Sequence, residues 1–412
     1  MLNPQINLNK LMLIFFCIYI LIGNTTRFSA QINFYEIFLI FIFSLHIIRK
    51  NIHIKSFLVI LTLILLILIS LTIGIIKTPD NIEGVFYSFR LMLMLVATFS
   101  IGYTLKDYEK IVNFKYIVNT YINVYIILSI ISILILIAFP ESTELWGFLS
   151  SIGIYFNGDP HINRIVSTYF DPNFFGNILL FPFLLCLINF QIDSNKTNLI
   201  KLSLLLFVLV FTFSRSAIAS ILVLFGFYYL YELYNVIKKR KLSKNFFYLS
   251  LSILIVSPII LSSSYINQRI IERFSSTTST DDSTLARLDS FRVGNEIFMN
   301  NPLLGSGYGF TQQEQVLLRG NIGSGIDSSI QNILISFGII GSLIILFILL
   351  FYIFEILKKY KNKIDYEKKI AYFFIIYFLW SIFFLSNFNQ LIFYPFWLLP
   401  TLGFGIFLVI RK

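Results

Sequence analysis

The run FLVILTLILLILISLTIGII, residues 57–76, sets the class of structure that this chain can adopt. It has no charged side chain, and a helix of about 20 such residues is long enough to cross the hydrocarbon layer of a membrane. Similar runs recur along the 412 residues, of which 57% are hydrophobic and 13% are charged. A soluble domain usually has about 25% charged residues. The composition therefore predicts an all-α protein that crosses the membrane many times.

The apolar runs predict about 12 transmembrane helices in one integral membrane domain, residues 1–412. The first run is similar to a signal peptide but lacks a small-residue cleavage site, so we interpret it as the first helix. The second run is short and contains Glu36. The predicted spans cover residues 8–23, 33–48, 57–76, 84–103, 116–139, 172–190, 197–214, 216–236, 246–263, 328–354, 369–386 and 390–409.

Lysine and arginine are unevenly distributed among the segments between these spans. Alternate segments are rich in Lys, as in Lys238-Lys239-Arg240-Lys241, and the segments between them contain little of it. Positive residues concentrate on the cytoplasmic side, so we expect both termini in the cytoplasm. The net charge of +11 then reflects topology and requires no nucleic-acid partner. The external segments hold Arg, which either follows from topology or indicates a phosphate-bearing ligand.

Two of the predicted external segments are long, residues 140–171 and 264–327. The first is rich in apolar and aromatic residues, so we expect it to lie in the membrane interface. The second includes a Ser/Thr-rich stretch at 275–284 that is typical of a flexible linker. An amphipathic helix follows, with apolar residues at steps of three from Leu285.

Ionisable groups at membrane depth are costly, so each of them is a candidate functional residue. Arg90 lies within the fourth span, where it either extends outward to the interface or binds a ligand. Asp171-Pro172-Asn173 is a typical helix start, with an acid at the N-cap and Pro at the first helical position. Arg164 lies just upstream. The motif is therefore either a helix start alone or part of an external site.

Arg215, in the segment FTFSRSA, stands at the external joint between two predicted helices. It has no acidic neighbour in sequence, so either the turn holds it or a bound anion supplies its partner. The segment GSGYGF from Gly305 is not a dinucleotide loop, because no strand precedes it and its spacing differs. We expect its glycines to let the backbone turn or re-enter the membrane.

Asp327 stands at the start of the tenth predicted span. At about 100° per residue, Gln331, Gly338 and Gly341 follow it on one helical stripe, within about 40°. This stripe would combine a carboxylate, an amide and two glycines that permit close helix packing. We interpret Asp327 either as an ordinary N-cap or as a general base at the external end of a cleft.

In their order along the chain, these motifs resemble the superfamily of O-antigen polymerases and O-antigen ligases of the bacterial envelope. The resemblance covers most of the chain, and its motif-bearing part is residues 160–345. This part includes the DPN motif with its upstream Arg, the SRSA joint, and Arg287 followed by P-x-x-G-x-G-x-G. At the start of the tenth span the ligases carry a His and a small polar residue, then nine residues, Gly, two residues and Gly. Here the spacing holds but Asp327 replaces the His, which favours the polymerase branch.

The resemblance implies transfer of a growing glycan from a polyprenyl pyrophosphate to the terminal sugar hydroxyl of another lipid-linked repeat unit. Arg215, Arg287 and Arg164 would stabilise the leaving pyrophosphate without a metal or cofactor. Asp327 would accept the hydroxyl proton or position the hydroxyl. The predicted substrate-binding residues are Arg164, Arg90, Arg292, Asp171, Asn173 and Gln331.

The implied partners are polyprenyl-pyrophosphate-linked oligosaccharides and membrane lipids, with a chain-length regulator and a flippase as further candidates. The implied location is the cytoplasmic membrane. Two alternatives remain. A ligase would transfer finished glycan to a different acceptor. A flippase or other transporter would be expected to contain matching halves, and the sequence has no internal repeat.

Overall fold

The structure is a computed structural model that describes residues 4–27, 33–154, 160–239, 282–319 and 326–411. Within these ranges the regular secondary structure is helical and includes no β-strand. Eight of the described helices are long and apolar enough to cross a membrane. The predicted fold class, an all-α polytopic membrane protein, is confirmed.

Every predicted span coincides with a described helix, except 246–263, which lies outside the described residues. The predicted amphipathic helix is present as α10, and most of the Ser/Thr-rich stretch before it also lies outside the described residues. The helices are α1 (Pro4–Ile22), α2 (Phe34–Ile48), α3 (Ile54–Lys77), α4 (Ile82–Glu109), α5 (Phe114–Ala138), α6 (Ser142–Ser151), α7 (Pro172–Ile192), α8 (Lys196–Phe211), α9 (Arg215–Lys239), α10 (Asp282–Asn300), α11 (Gln312–Arg319), α12 (Ser329–Tyr360), α13 (Asp365–Phe383) and α14 (Pro395–Ile410).

The chain forms two compact units. Unit 1 comprises Met1–Ile20, Ile32–Ile117 and Leu285–Lys412. Unit 2 comprises Leu21–Gln31 and Val118–Thr284. Unit 1 therefore contains nearly all of α1, α2 to α4, nearly all of α10, and α11 to α14. Unit 2 contains most of α5 together with α6 to α9.

In unit 1, α4 packs against α2, α3 and α14. It meets α14 closely where Gly102 lies against Ile406 and Gly403 lies against Ile101. A Cβ atom at Gly102 would lie 2.6 Å from Cγ2 of Ile406, so a larger residue would push the helices apart. Small residues at such crossings allow the close van der Waals packing that holds helices together in a membrane.

The helix α12 of unit 1 is broken at Gly338, whose backbone angles are φ 64° and ψ −173°. The loop between α10 and α11 lies in this break. Ser306 and Gly307 of the loop donate their backbone N–H groups to the carbonyls of Ile335 and Ser336, at 2.7 and 3.2 Å. In a continuous helix these two carbonyls would instead accept hydrogen bonds from the residues four positions later.

The same loop also binds the other side of the break. The N–H of Ile339 donates to the carbonyl of Pro302 at 2.8 Å, and the N–H of Ile340 donates to that of Leu303 at 3.2 Å. The loop therefore satisfies the backbone groups on both sides of the break, as a membrane interior without water requires. Its turn at Gly305 has a φ of 78°, which confirms that these glycines let the backbone turn.

In unit 2, α7 is the central helix and packs against α8 and α9. Its residues from 175 to 189 are all buried, which explains why this segment is apolar on every side. The first long loop contains α6, whose Leu145 and Leu149 pack against apolar residues just before α7. That α6 lies in the membrane interface stays a prediction.

Candidate functional site

The DPN motif forms the start of α7. Oδ1 of Asp171 accepts hydrogen bonds from the backbone N–H groups of Asn173, at 2.7 Å, and Phe174, at 3.1 Å. Pro172 occupies the first helical position. The predicted helix start is confirmed, and the carboxylate lies at the helix end where a negative charge is favourable. A further role for Asp171 in substrate binding stays a prediction.

The SRSA joint connects α8 to α9 through a three-residue turn. α9 begins at Arg215, which is half-buried. Phe213 in the turn has a φ of 47°, in the left-handed region that large side chains rarely adopt. The start of α7 packs directly on this turn, because a Cβ atom at Gly176 would lie 3.0 Å from Oγ1 of Thr212. The DPN motif and the Arg215 joint therefore form one cluster in unit 2.

Arg164 connects the two parts of this cluster and is only 7% exposed. Its Nε donates to the carbonyl of Thr212 at 2.8 Å, and its Nη2 donates to Oδ1 of Asn173 at 3.0 Å. Its Nη1 lies 3.3 Å from Nδ1 of His161, which acts as the acceptor because a guanidinium can only donate. His161 belongs to none of the sequence motifs described above. The available signal was its position three residues before Arg164.

In unit 1, Asp327 lies just before α12 and is attached to α10. Its backbone N–H donates to Oγ of the buried Ser290, at 2.9 Å. The N-cap of α12 is Ser328, whose Oγ accepts from the N–H of Gln331 at 3.2 Å. The interpretation of Asp327 as the N-cap is therefore wrong. Two adjacent residues could each cap this helix, and local sequence does not distinguish them.

Gln331 fixes α10 against the first turn of α12. Its Nε2 donates to the carbonyl of Phe291 at 2.8 Å and to Oδ1 of Asn295 at 3.1 Å. Gly294 provides the space, since a Cβ atom there would lie 2.4 Å from the Gln331 amide group. The observed contacts of this amide hold two helices together. Its predicted role in substrate binding stays a prediction.

Arg287 lies on α10, three residues before Ser290, so the two side chains are neighbours on one helix face. Because Ser290 binds the backbone of Asp327, Arg287 and Asp327 belong to the same region of unit 1. α10 packs through Ser290, Val293 and Ile297, which are all buried. Leu285, Leu288 and Phe291, the apolar residues noted in the sequence, are exposed.

The predicted stripe from Asp327 to Gly341 is wrong. The helix starts after Asp327, and the backbone at Gly338 is not helical, so a constant rotation per residue does not carry across the break. Gly341 packs against α3, where a Cβ atom would lie 2.9 Å from Cδ1 of Leu66. The two glycines therefore serve two different contacts.

Arg90 and Arg292, both predicted to bind substrate, have carboxylate partners within unit 1. Nε of Arg90 donates to Oε1 of Glu36 at 2.7 Å, and this carboxylate is almost fully buried. Arg292 pairs with Asp289 and Glu296 on its own helix, each at 2.9 Å. The hydrogen bond to Asp289 and the charge of Glu296 raise the pKa of Arg292. Substrate binding by either arginine stays a prediction.

Residues 200–346 match the family described as O-antigen ligase. This segment of the chain is similar to the O-antigen ligase family. This match supports the superfamily of O-antigen polymerases and ligases that the motifs resemble. No curated protein matches the chain significantly.

Arg215, Arg287 and Asp327 all lie within residues 200–346, the segment that matches the O-antigen ligase family. Of these, Arg215 belongs to unit 2, and Arg287 and Asp327 belong to unit 1. The family domain and the apolar helices support a membrane protein with a function of the O-antigen polymerase or ligase type. In the described part of the chain, no group of three or more His, Cys, Asp or Glu residues could hold a metal ion.

Proposed function

We propose that this protein is a polysaccharide polymerase of the cytoplasmic membrane. On the external face it transfers a glycan from a polyprenyl pyrophosphate to a sugar hydroxyl of another lipid-linked repeat unit, without a metal ion. The O-antigen ligase family domain supports this class of reaction and substrate. The long apolar helices support a location in the membrane, which is where the polyprenyl chain of such a substrate dissolves.

The observation that carries the polymerase proposal is the carboxylate of Asp327 at the start of α12. It stands where ligases of the superfamily, by resemblance, carry a His. Its backbone is bound by Ser290 of α10, the helix that also carries Arg287. The proposed base, Asp327, and a cation, Arg287, thus belong to one region of unit 1.

In the proposed reaction, Asp327 accepts the proton of the acceptor hydroxyl. The hydroxyl oxygen forms the new glycosidic bond at the anomeric carbon of the donor glycan. The bond between that carbon and the pyrophosphate oxygen breaks at the same centre, and polyprenyl pyrophosphate leaves with its negative charge. The guanidinium groups of Arg215 and Arg287 stabilise this developing charge through charge-assisted hydrogen bonds.

Ligation is the second candidate, because the matched family is described as O-antigen ligase. The same donor and the same leaving group would be used, and the acceptor would differ. The arrangement of Arg287 and Asp327 in unit 1 is compatible with both reactions. The acceptor therefore has to be determined by experiment.

The test is reconstitution of the purified protein in liposomes with a lipid-linked repeat unit as the only substrate. A polymerase produces a ladder of longer lipid-linked glycans and releases polyprenyl pyrophosphate. A deletion strain should keep surface glycan of one repeat unit and lose the longer chains. Loss of every transferred glycan in that strain would indicate a ligase. Accumulation of repeat units on the cytoplasmic side would indicate a flippase.

A further inference from the structure

Arg164 is bound to the turn that leads into Arg215. In addition to the bonds to Thr212 and Asn173, its Nη2 lies 3.5 Å from the carbonyl of Phe213. The neighbouring residue Ile165 donates its N–H to the carbonyl of Phe211 at 3.0 Å. The segment around Arg164 therefore binds the carbonyls of three successive residues at the end of α8.

The carbonyls of Phe211 and Thr212 are among the groups that a helix leaves without partners at its C-terminus. A cation that donates to them is favoured both by hydrogen bonding and by the helix dipole. The turn also contains Phe213 in a left-handed conformation, which surrounding contacts must hold in place. Arg164 thus stabilises a strained turn, and α9 begins with Arg215 directly after this turn.

The other side of the Arg164 guanidinium is fixed as well. Asn173, which accepts from Nη2, sits in the first turn of α7, and that turn is capped by Asp171. His161, which accepts from Nη1, is held by its backbone N–H bond to Oγ of Ser142, at 2.7 Å. Arg164 is therefore a buried bridge between three segments of unit 2.

We propose that Arg164 is a positioning residue for Arg215 and does not itself bind the pyrophosphate. This inference rests on the proposed transfer reaction and revises the role that the family resemblance implied for Arg164. The donors on Nε, Nη1 and Nη2 are directed at protein acceptors, and the side chain is buried. Loss of these bonds would release the turn and let Arg215 leave the orientation needed to stabilise the leaving group.

The experiment measures release of polyprenyl pyrophosphate by the full chain in liposomes that contain the lipid-linked repeat unit. The variants are Arg164→Gln, Arg164→Lys, Arg215→Gln and the double variant Arg164→Gln/Arg215→Gln. We expect Arg164→Gln and Arg215→Gln each to lower kcat roughly 100-fold, as loss of a charge-stabilising donor does. The double variant should match Arg215→Gln within about threefold, because the two residues act as one unit.

Arg164→Lys separates positioning from phosphate binding. A lysine keeps the charge but cannot place donors on Thr212, Asn173 and His161 together, so we expect it to be as inactive as Arg164→Gln. Retained activity in Arg164→Lys, or multiplied losses in the double variant, would overturn the proposal and indicate a direct phosphate contact. Wild-type release by Arg215→Gln would overturn it too, because no positioned cation would then be needed.

Two further variants cover the case in which Arg164→Gln does not fold. Asn173→Ala and His161→Phe each remove one acceptor, and each should lower kcat about tenfold in the wild type but have no effect in the Arg215→Gln background. Equal losses in both backgrounds would overturn the proposal. Release of polyprenyl pyrophosphate accompanies polymerisation and ligation alike. A protein that releases it without forming longer glycans would overturn the polymerase function and leave this inference intact.

Discussion

The Arg164–Arg215 cluster of unit 2 and the Arg287–Asp327 region of unit 1 are assembled in different ways. In unit 2 a buried guanidinium binds backbone carbonyls and an amide. In unit 1 the neutral side chains of Ser290 and Gln331 attach α10 to the start of α12. Hydrogen bonds to a charged group contribute about 1.5–3 kcal/mol and neutral ones about 0.5–1.5 kcal/mol. We therefore expect unit 2 to hold Arg215 more rigidly than unit 1 holds Arg287.

Three arginines that were all predicted to bind substrate differ in their surroundings. Arg164 donates hydrogen bonds to protein acceptors such as the carbonyl of Thr212. Arg90 pairs with Glu36, and Arg292 pairs with carboxylates on its own helix. A guanidinium on the predicted external side is therefore not by itself a phosphate ligand. Its existing partners have to be known first.

The largest effect is expected from Asp327, and it separates a role in catalysis from a role in the stability of unit 1. Asp327→Asn should lower the rate of transfer about 1,000-fold, because an amide cannot act as the general base. Protein level and melting temperature should stay at the wild-type values. The measurement is release of polyprenyl pyrophosphate in liposomes. Asp80→Asn, which makes the same change at an exposed carboxylate, is the control. Full activity of Asp327→Asn would remove it as the base.

A second test breaks the attachment of the α10–α11 loop to α12. Gly338→Ala should destabilise the protein by about 3 kcal/mol, because its φ of 64° strains any side chain. Its Cβ atom would also lie 2.3 Å from the carbonyl oxygen of Leu303. Thermal unfolding in detergent measures the change. Gly226→Ala in α9 is the matched control, because a Cβ atom there meets nothing within 4 Å, and it should be neutral or stabilise the protein by up to about 1 kcal/mol. Equal melting temperatures would contradict the broken helix.

A third test asks whether Arg90 serves the fold of unit 1 alone. Glu36→Gln should destabilise the protein by about 2 kcal/mol, because it leaves a partly buried guanidinium without its counter-charge. The double variant Glu36→Leu/Arg90→Leu should recover most of that stability, since no charge then remains. The transfer activity of the double variant shows whether Arg90 is also needed to bind substrate. Activity near the wild-type rate would exclude Arg90 as a substrate-binding residue.

The smallest expected effect concerns the neutral contacts of unit 1. Ser290→Ala should destabilise the protein by about 1 kcal/mol, because the N–H of Asp327 loses its acceptor. The rate of transfer should fall only a few fold, in contrast to the large loss expected for Arg164→Gln. Ser150→Ala on the exposed side of α6 is the control. A loss in Ser290→Ala as large as that in Arg164→Gln would contradict the difference in rigidity inferred for the two units.

The membrane-spanning architecture was predictable from local sequence. Runs such as residues 57–76 are helical because a bilayer leaves no water to bind the backbone, so each span must satisfy its own hydrogen bonds. The start of α7 was predictable for a similar reason. Asp171 and Pro172 suit a helix start whatever the rest of the chain does. The O-antigen polymerase or ligase resemblance was also readable from motif order, and the family domain supports it.

The break in α12 and the partners of Arg164 were decided only by the tertiary structure. The segment around Gly338 is apolar and would form a continuous helix, except that a loop some thirty residues earlier binds the four backbone groups at the break. Likewise, Thr212 lies 48 positions from Arg164, and no local pattern shows that its carbonyl will accept from that side chain. Local propensity determines which residues form helices. Which polar groups meet depends on packing between segments that are distant in sequence. A buried polar group without a hydrogen-bond partner is costly in free energy, so this packing has to bring partners together.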